Sequence, residues 1–135
     1  MDRYAHTKKF IINKLESGLS QNLFYHGFHH VMDVLMSAEM LGTLERITHQ
    51  EMELLLVAVL FHDSGFLVSP VEHEKRGCRL ARENLPGFGY TEEEIETICG
   101  MIMATHFPQQ PHTKLEEIIC DADLDYLGRD DFFVI

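Results

Sequence analysis

The chain has 135 residues, 45% of them apolar, which suits one domain with a real core. It carries 22 Asp and Glu against 11 Lys and Arg, a formal net charge of −11, so no surface for gripping a nucleic-acid backbone is expected. The longest apolar run is the eight residues from Leu54 to Phe61, far short of the roughly 20 that span a membrane, and no membrane partner is expected either. A small phosphate ester is still admitted by this charge, because a bound cation reverses the local field. The three cysteines, Cys78, Cys99 and Cys120, are odd in number and lack CxxC spacing, which argues against a disulfide framework. Met1-Asp2-Arg3 leads into a polar segment rather than an apolar leader, and a cytoplasmic location is the expectation.

In chain order, a first helix is expected over about residues 4–17, where Phe10, Ile11 and Leu15 share a face before Gly18. After a Ser/Gln/Asn stretch, Val31, Val34, Leu35, Ala38 and Leu41 recur at three and four, predicting a helix from about Phe28 to Leu41, stopped by Gly42. Thr48 and Glu51 have capping-box spacing and open a third helix that runs to His62 and breaks at Ser64-Gly65. Pro70 suits a first helical position, with Glu72 and Glu74 in the first turn of a fourth helix that ends before Pro86-Gly87. Thr91 and Glu94 open a fifth helix, through Ile95, Ile98, Met101 and Ile102 to about Thr105. Thr113 and Glu116 open a last one, through Leu115, Ile118, Ile119 and Ala122, with Gly128 after it. No segment alternates with period two, so the fold class is all-α. The apolar end Phe132-Phe133-Val134-Ile135 implies either packing back onto the bundle or a chain that continues.

Three places carry metal-ligand residue types. The run Leu54 to Phe61 reads as a fully buried segment and leads directly into His62-Asp63. Burying an imidazole beside a carboxylate is costly unless something pairs with them, and a divalent cation suits both. In Tyr25-His26-Gly27-Phe28-His29-His30, His26 and His30 are four apart and share a helix face if the helix starts early enough. His30 is in phase with Val34 and is taken as inward, whereas His29 is not. Cys120-Asp121-Ala122-Asp123-Leu124-Asp125 places three carboxylates on a mostly apolar helix, so at least one is expected to face a cation.

This ordered set, Tyr25-His26 with His30, then His62-Asp63 after an apolar run, then Asp121-Ala122-Asp123-Leu124 with Leu127-Gly128, resembles the HD-domain superfamily of metal-dependent phosphohydrolases over roughly residues 25–131. The resemblance implies an HD-domain bundle of about five to seven helices. It also implies His30, His62, Asp63 and a late Asp as metal ligands, the last taken as Asp123 with Asp121 as the alternative or as a partner behind it, and His26 as proton donor to the leaving group. His73, in His73-Glu74-Lys75-Arg76-Gly77, and His106 match positions that hold a second metal or touch substrate in some members. Lys75, Arg76, Arg79 and Arg82 lie on one short helix and read first as a solvated face, with Lys75 or Arg76, beside His73, as the candidate phosphate contact. His6, His29, His49 and His112 are read as surface residues.

The implied cofactor is one divalent ion, or two, of Mn, Fe, Mg or Zn; mixed His/carboxylate ligation does not choose among them. The implied activity is hydrolysis of a phosphate mono- or diester, a nucleotide or related small metabolite, by metal-activated water, with Asp63 as proton acceptor. Two rivals stand beside it: a metal- or nucleotide-binding signalling module without turnover, and di-iron oxygen chemistry, which needs both His73 and His106 as ligands. The oligomeric state is not legible.

Overall fold

The computed structural model describes residues 2–18, 20–62, 64, 72–106 and 109–129; of residues 2, 21–26 and 124–129 it describes the backbone. The expectations placed on Asp63, Pro70 and the C-terminal apolar cluster therefore fall outside the described residues. The elements are α1 (Asp2–Gly18), α2 (Gln21–Leu44), α3 (His49–His62), α4 (His73–Asn84), a 3-10 turn (Leu85–Phe88), α5 (Glu92–Ala104) and α6 (Lys114–Arg129). No strand occurs among the described residues, as the all-α reading requires.

The apolar run builds the centre. Every residue of α3 from Glu53 to His62 is buried, so this part of the helix has no solvent face. It packs against α1, α2, α4, α5 and α6. Leu55, Leu60 and Phe61 are fully buried, and each contributes about 1.5–3 kcal/mol by leaving water. Val31, Val34 and Ala38 of α2, Ile98 and Ile102 of α5, and Ile119 and Ala122 of α6 close around it, with α2 lying along both α3 and α6.

Both predicted capping boxes at α3 and α5 are formed. The Thr48 backbone N–H donates to Glu51 Oε1 at 2.8 Å and Glu51 N–H to Thr48 Oγ1 at 3.0 Å. Thr91 and Glu94 repeat the pattern at 2.9 and 3.1 Å. At α6 the box is half-formed: Glu116 N–H donates to Thr113 Oγ1, while Glu116 Oε1 accepts from the His112 backbone instead.

Three boundaries differ from expectation. Helix α2 begins at Gln21 and runs through Gly42 to Leu44. Gly42 does not stop it because it is a contact residue: a Cβ there would stand 2.9 Å from Ile47 Cδ1 and Met52 Cε. Glu72 lies ahead of α4 rather than in its first turn, holding left-handed backbone at φ 57°, and α4 starts at His73. Gly128 lies within α6, which continues to Arg129.

Besides burying Ile11 and Leu15, the N-terminal helix is tied to α3 and α5 by Arg3. Arg3 donates to Glu53 from Nε at 2.8 Å and Nη2 at 3.2 Å, and to Glu94 from Nη1 at 3.1 Å and Nη2 at 2.9 Å. Its guanidinium lies 4.2 Å over the Tyr90 ring, whose hydroxyl donates to Glu53 at 2.9 Å. The planar fork of Arg suits two carboxylates at once, and a Lys would not match it.

Candidate metal centre

Three helices deliver one residue each to a common point. His30 lies on α2, His62 is the last residue of α3, and Asp123 lies on α6. One donor atom from each lies within 4.8 Å of the other two. Asp123 Oδ1 is 3.5 Å from His62 Nε2 and 3.8 Å from His30 Nε2. The two imidazole centroids are 5.5 Å apart.

The local reason for the His62 orientation is the end of its helix. The last carbonyls of a helix have no intrahelical partner. His62 Nδ1 sits 2.6 Å from the Val59 carbonyl oxygen, and a carbonyl only accepts, so Nδ1 carries the proton. With the ring neutral, Nε2 would present a lone pair toward Asp123. A ring nitrogen lone pair and a carboxylate oxygen at 3.5 Å repel unless positive charge lies between them. A proton bridges two atoms, whereas here a third donor, from His30, faces the same oxygen. Ions bound by His and Asp sit about 2.0–2.2 Å from each ligand, so paired ligands stand roughly 3–4 Å apart. The observed separations match, and the donor set fits a divalent cation.

Neighbouring contacts hold this arrangement. Ser64, 1% exposed, donates from Oγ to the Phe61 carbonyl at 2.7 Å just beyond α3. Cys120, one turn before Asp123, donates its thiol to the Ala104 carbonyl and ties α6 to the end of α5. Burial and the Asp123 and Asp121 carboxylates push that thiol up to about 11. Asp121 itself is exposed. His26 lies on α2 one turn before His30, since the helix does start early enough, but its side chain is outside the described residues.

His73 and His106 form a separate constellation with a residue that the sequence reading passed over. Glu74, 5% exposed, lies between them: its Oε2 is 3.0 Å from His73 Nε2, and its Oε1 is 3.1 Å from His106 Nδ1. Sequence offered no signal for this, because an acidic residue in a first helical turn is already explained by the helix dipole. Helix α4 reaches this position by close contact at Gly77, where a Cβ would stand 2.6 Å from the Phe61 carbonyl oxygen. On the same helix, Arg76 Nε is buried with no hydrogen-bond partner among the described residues. Lys75 is exposed and lines a different cleft, with Cys78 and Cys99. His6, His29, His49 and His112 are exposed, as expected.

An all-helical bundle that gathers two histidines and an aspartate from separate helices onto one point has the donor set of a metal-binding helical domain. Residues 27–125 match the HD domain family, and the chain belongs to it. The fold is similar to the crystal structure of a predicted HD superfamily hydrolase from an uncultured Thermotogales bacterium, with a TM-score of 0.71 and 19% sequence identity. That similarity covers 86% of this chain and 66% of the other, so the chain spans just under two thirds of that protein's length. No curated protein matches the sequence. No described helix is long and apolar enough to cross a membrane.

Proposed function

We propose that this HD domain is a metal-dependent hydrolase of a phosphate mono- or diester, a nucleotide or related small metabolite. The observation that carries the reading is the meeting of His62 Nε2, His30 Nε2 and Asp123 Oδ1 at one point. In this reading His30, His62, Asp63 and Asp123 hold the cation. When bound, that ion supplies a Lewis acid for the phosphoryl oxygens and lowers the pKa of water. Asp63 accepts the proton of the water that attacks phosphorus. His26, one turn before His30 on α2, gives a proton to the departing oxygen.

Arg76 serves as the phosphate contact, which its buried and unsatisfied Nε supports better than the exposed Lys75. Glu74 orients His73 and His106, and these two imidazoles line the substrate side. A second ion would have to share them with the Glu74 carboxylate that each already faces.

The test is a screen of protein reconstituted in turn with Mn, Fe, Mg and Zn against nucleoside mono-, di- and triphosphates, cyclic nucleotides and sugar phosphates. Release of inorganic phosphate or of a nucleotide monoester from a defined substrate is expected. Silence across the whole panel with every metal overturns the hydrolase reading and leaves a binding module.

A further inference from the structure

Cys78 of α4 and Cys99 of α5 face each other across the contact between their helices. The Cys78 thiol donates to the Cys99 carbonyl at 3.6 Å, and the Cys99 thiol to the Cys78 carbonyl at 3.8 Å. This reciprocal pattern brings each sulfur against the other residue's backbone and places the two side chains beside each other across the helix contact. Both residues are buried, yet both line a surface cleft of about 330 Å³ together with Lys75 and Arg82. The cleft offers a small molecule an approach to this otherwise buried pair.

We infer that Cys78 and Cys99 form a reversible dithiol–disulfide pair, which staples α4 to α5 when the chain meets a low-molecular-weight disulfide. The metal chemistry has no use for these thiols, and the inference does not rest on it. The two sulfurs are not equivalent. Contact with the Cys78 side chain, with the charge of Arg82 in the same cleft, holds the Cys99 thiol below its ordinary range, while the same contact and burial push Cys78 up. Cys99 is thus the attacking thiol, because the thiolate is the nucleophile in exchange. Cys99 thiolate attacks one sulfur of the small disulfide and expels the first thiolate, leaving a mixed disulfide. Cys78 then loses its proton to that thiolate and attacks the Cys99 sulfur, expelling the second. The protein gives up two electrons and two protons, and the small disulfide becomes two thiols.

The staple joins the helix that carries His73, Glu74 and Arg76 to the helix that leads into His106. Oxidation would fix the spacing of these residues, and reduction would restore their freedom.

The experiment equilibrates the intact protein in buffers of glutathione and glutathione disulfide, quenches with acid and maps the peptides. The expected product is a Cys78–Cys99 link within one chain, lighter by two hydrogen atoms, with Cys120 still free and full recovery of thiols in dithiothreitol. Three free thiols in the most oxidising buffer, or a link that involves Cys120, overturns the inference. Two variants assign the order of attack. Cys78→Ser is expected to trap glutathione on Cys99, and Cys99→Ser to stay unmodified; the reverse pattern overturns the role given to Cys99.

Discussion

Gly77 lies so close to the Phe61 carbonyl that a single methyl group there would stand 2.6 Å from the oxygen. The obstacle is backbone, so either α4 or the end of α3 must move. Gly77→Ala is expected to cost about 1–3 kcal/mol, the ordinary range for overpacking, despite the better helix propensity of Ala. Gly42→Ala meets only the flexible ends of Ile47 and Met52 and is expected to lie within about 1 kcal/mol of the parent. Urea unfolding of the two variants side by side measures the contrast, and equal midpoints would contradict it.

Removing Arg3 leaves two largely buried carboxylates, Glu53 and Glu94, facing each other. Arg3→Met is expected to lower stability by about 2–3 kcal/mol, at the low end for a broken buried pair because Arg3 keeps some exposure to water. By calorimetry that is a fall of roughly 5–10 °C in Tm.

The same cluster sets an acid limb. Hydrogen bonding to Arg3 holds the Glu94 carboxyl at about 2, down from an ordinary 4.5. A carboxyl whose folded pKa is depressed stabilises the fold above its unfolded pKa and loses that contribution as pH falls toward the folded one. Stability is therefore expected to decline between pH 4.5 and about 2, and Arg3→Met should flatten this limb. Tm measured across that range for both proteins checks the sign.

Asp123→Asn removes the anionic donor among the three described at the site. Wild-type protein is expected to gain about 2.7 kcal/mol from a divalent ion at 100 times its dissociation constant. The variant should show little of that gain, and elemental analysis should find it depleted in metal. Equal metal content in both would show that Asp123 is not a ligand.

Glu74→Gln keeps the size of the side chain but leaves it unable to accept from both His73 and His106 in the same way. Turnover of any substrate found is expected to fall about tenfold or more, with metal content unchanged, the usual scale for losing an orienting partner. Loss of metal instead of turnover would move Glu74 into the coordination sphere.

Much of this architecture was legible because it is local. The run ending at His62 announces a stretch of helix with no solvent face, and the Thr48–Glu51 and Thr91–Glu94 pairs announce helix starts, each within a few residues. The phase of His30 with Val34 pointed it inward, toward the point where α3 and α6 deliver His62 and Asp123. What escaped depends on distant partners. The helix expected from about Phe28 starts at Gln21 instead. Gly42 reads as a stop but is a packing contact with α3. Glu74 and Arg3 look like ordinary surface charges until residues far along the chain are brought beside them.

The Arg3 fork also constrains the order of assembly. Arg3 is synthesised before either of its carboxylate partners, and Glu94 emerges only after α3 and α4 have been made. Helix α1 therefore has no complete docking place while the ribosome is still translating the middle of the chain. Its attachment belongs to the late, non-local phase of folding, when loop closure is most costly. If α3 and α5 pack before α1 docks, Glu53 and Glu94 meet without the guanidinium that joins them in the finished fold.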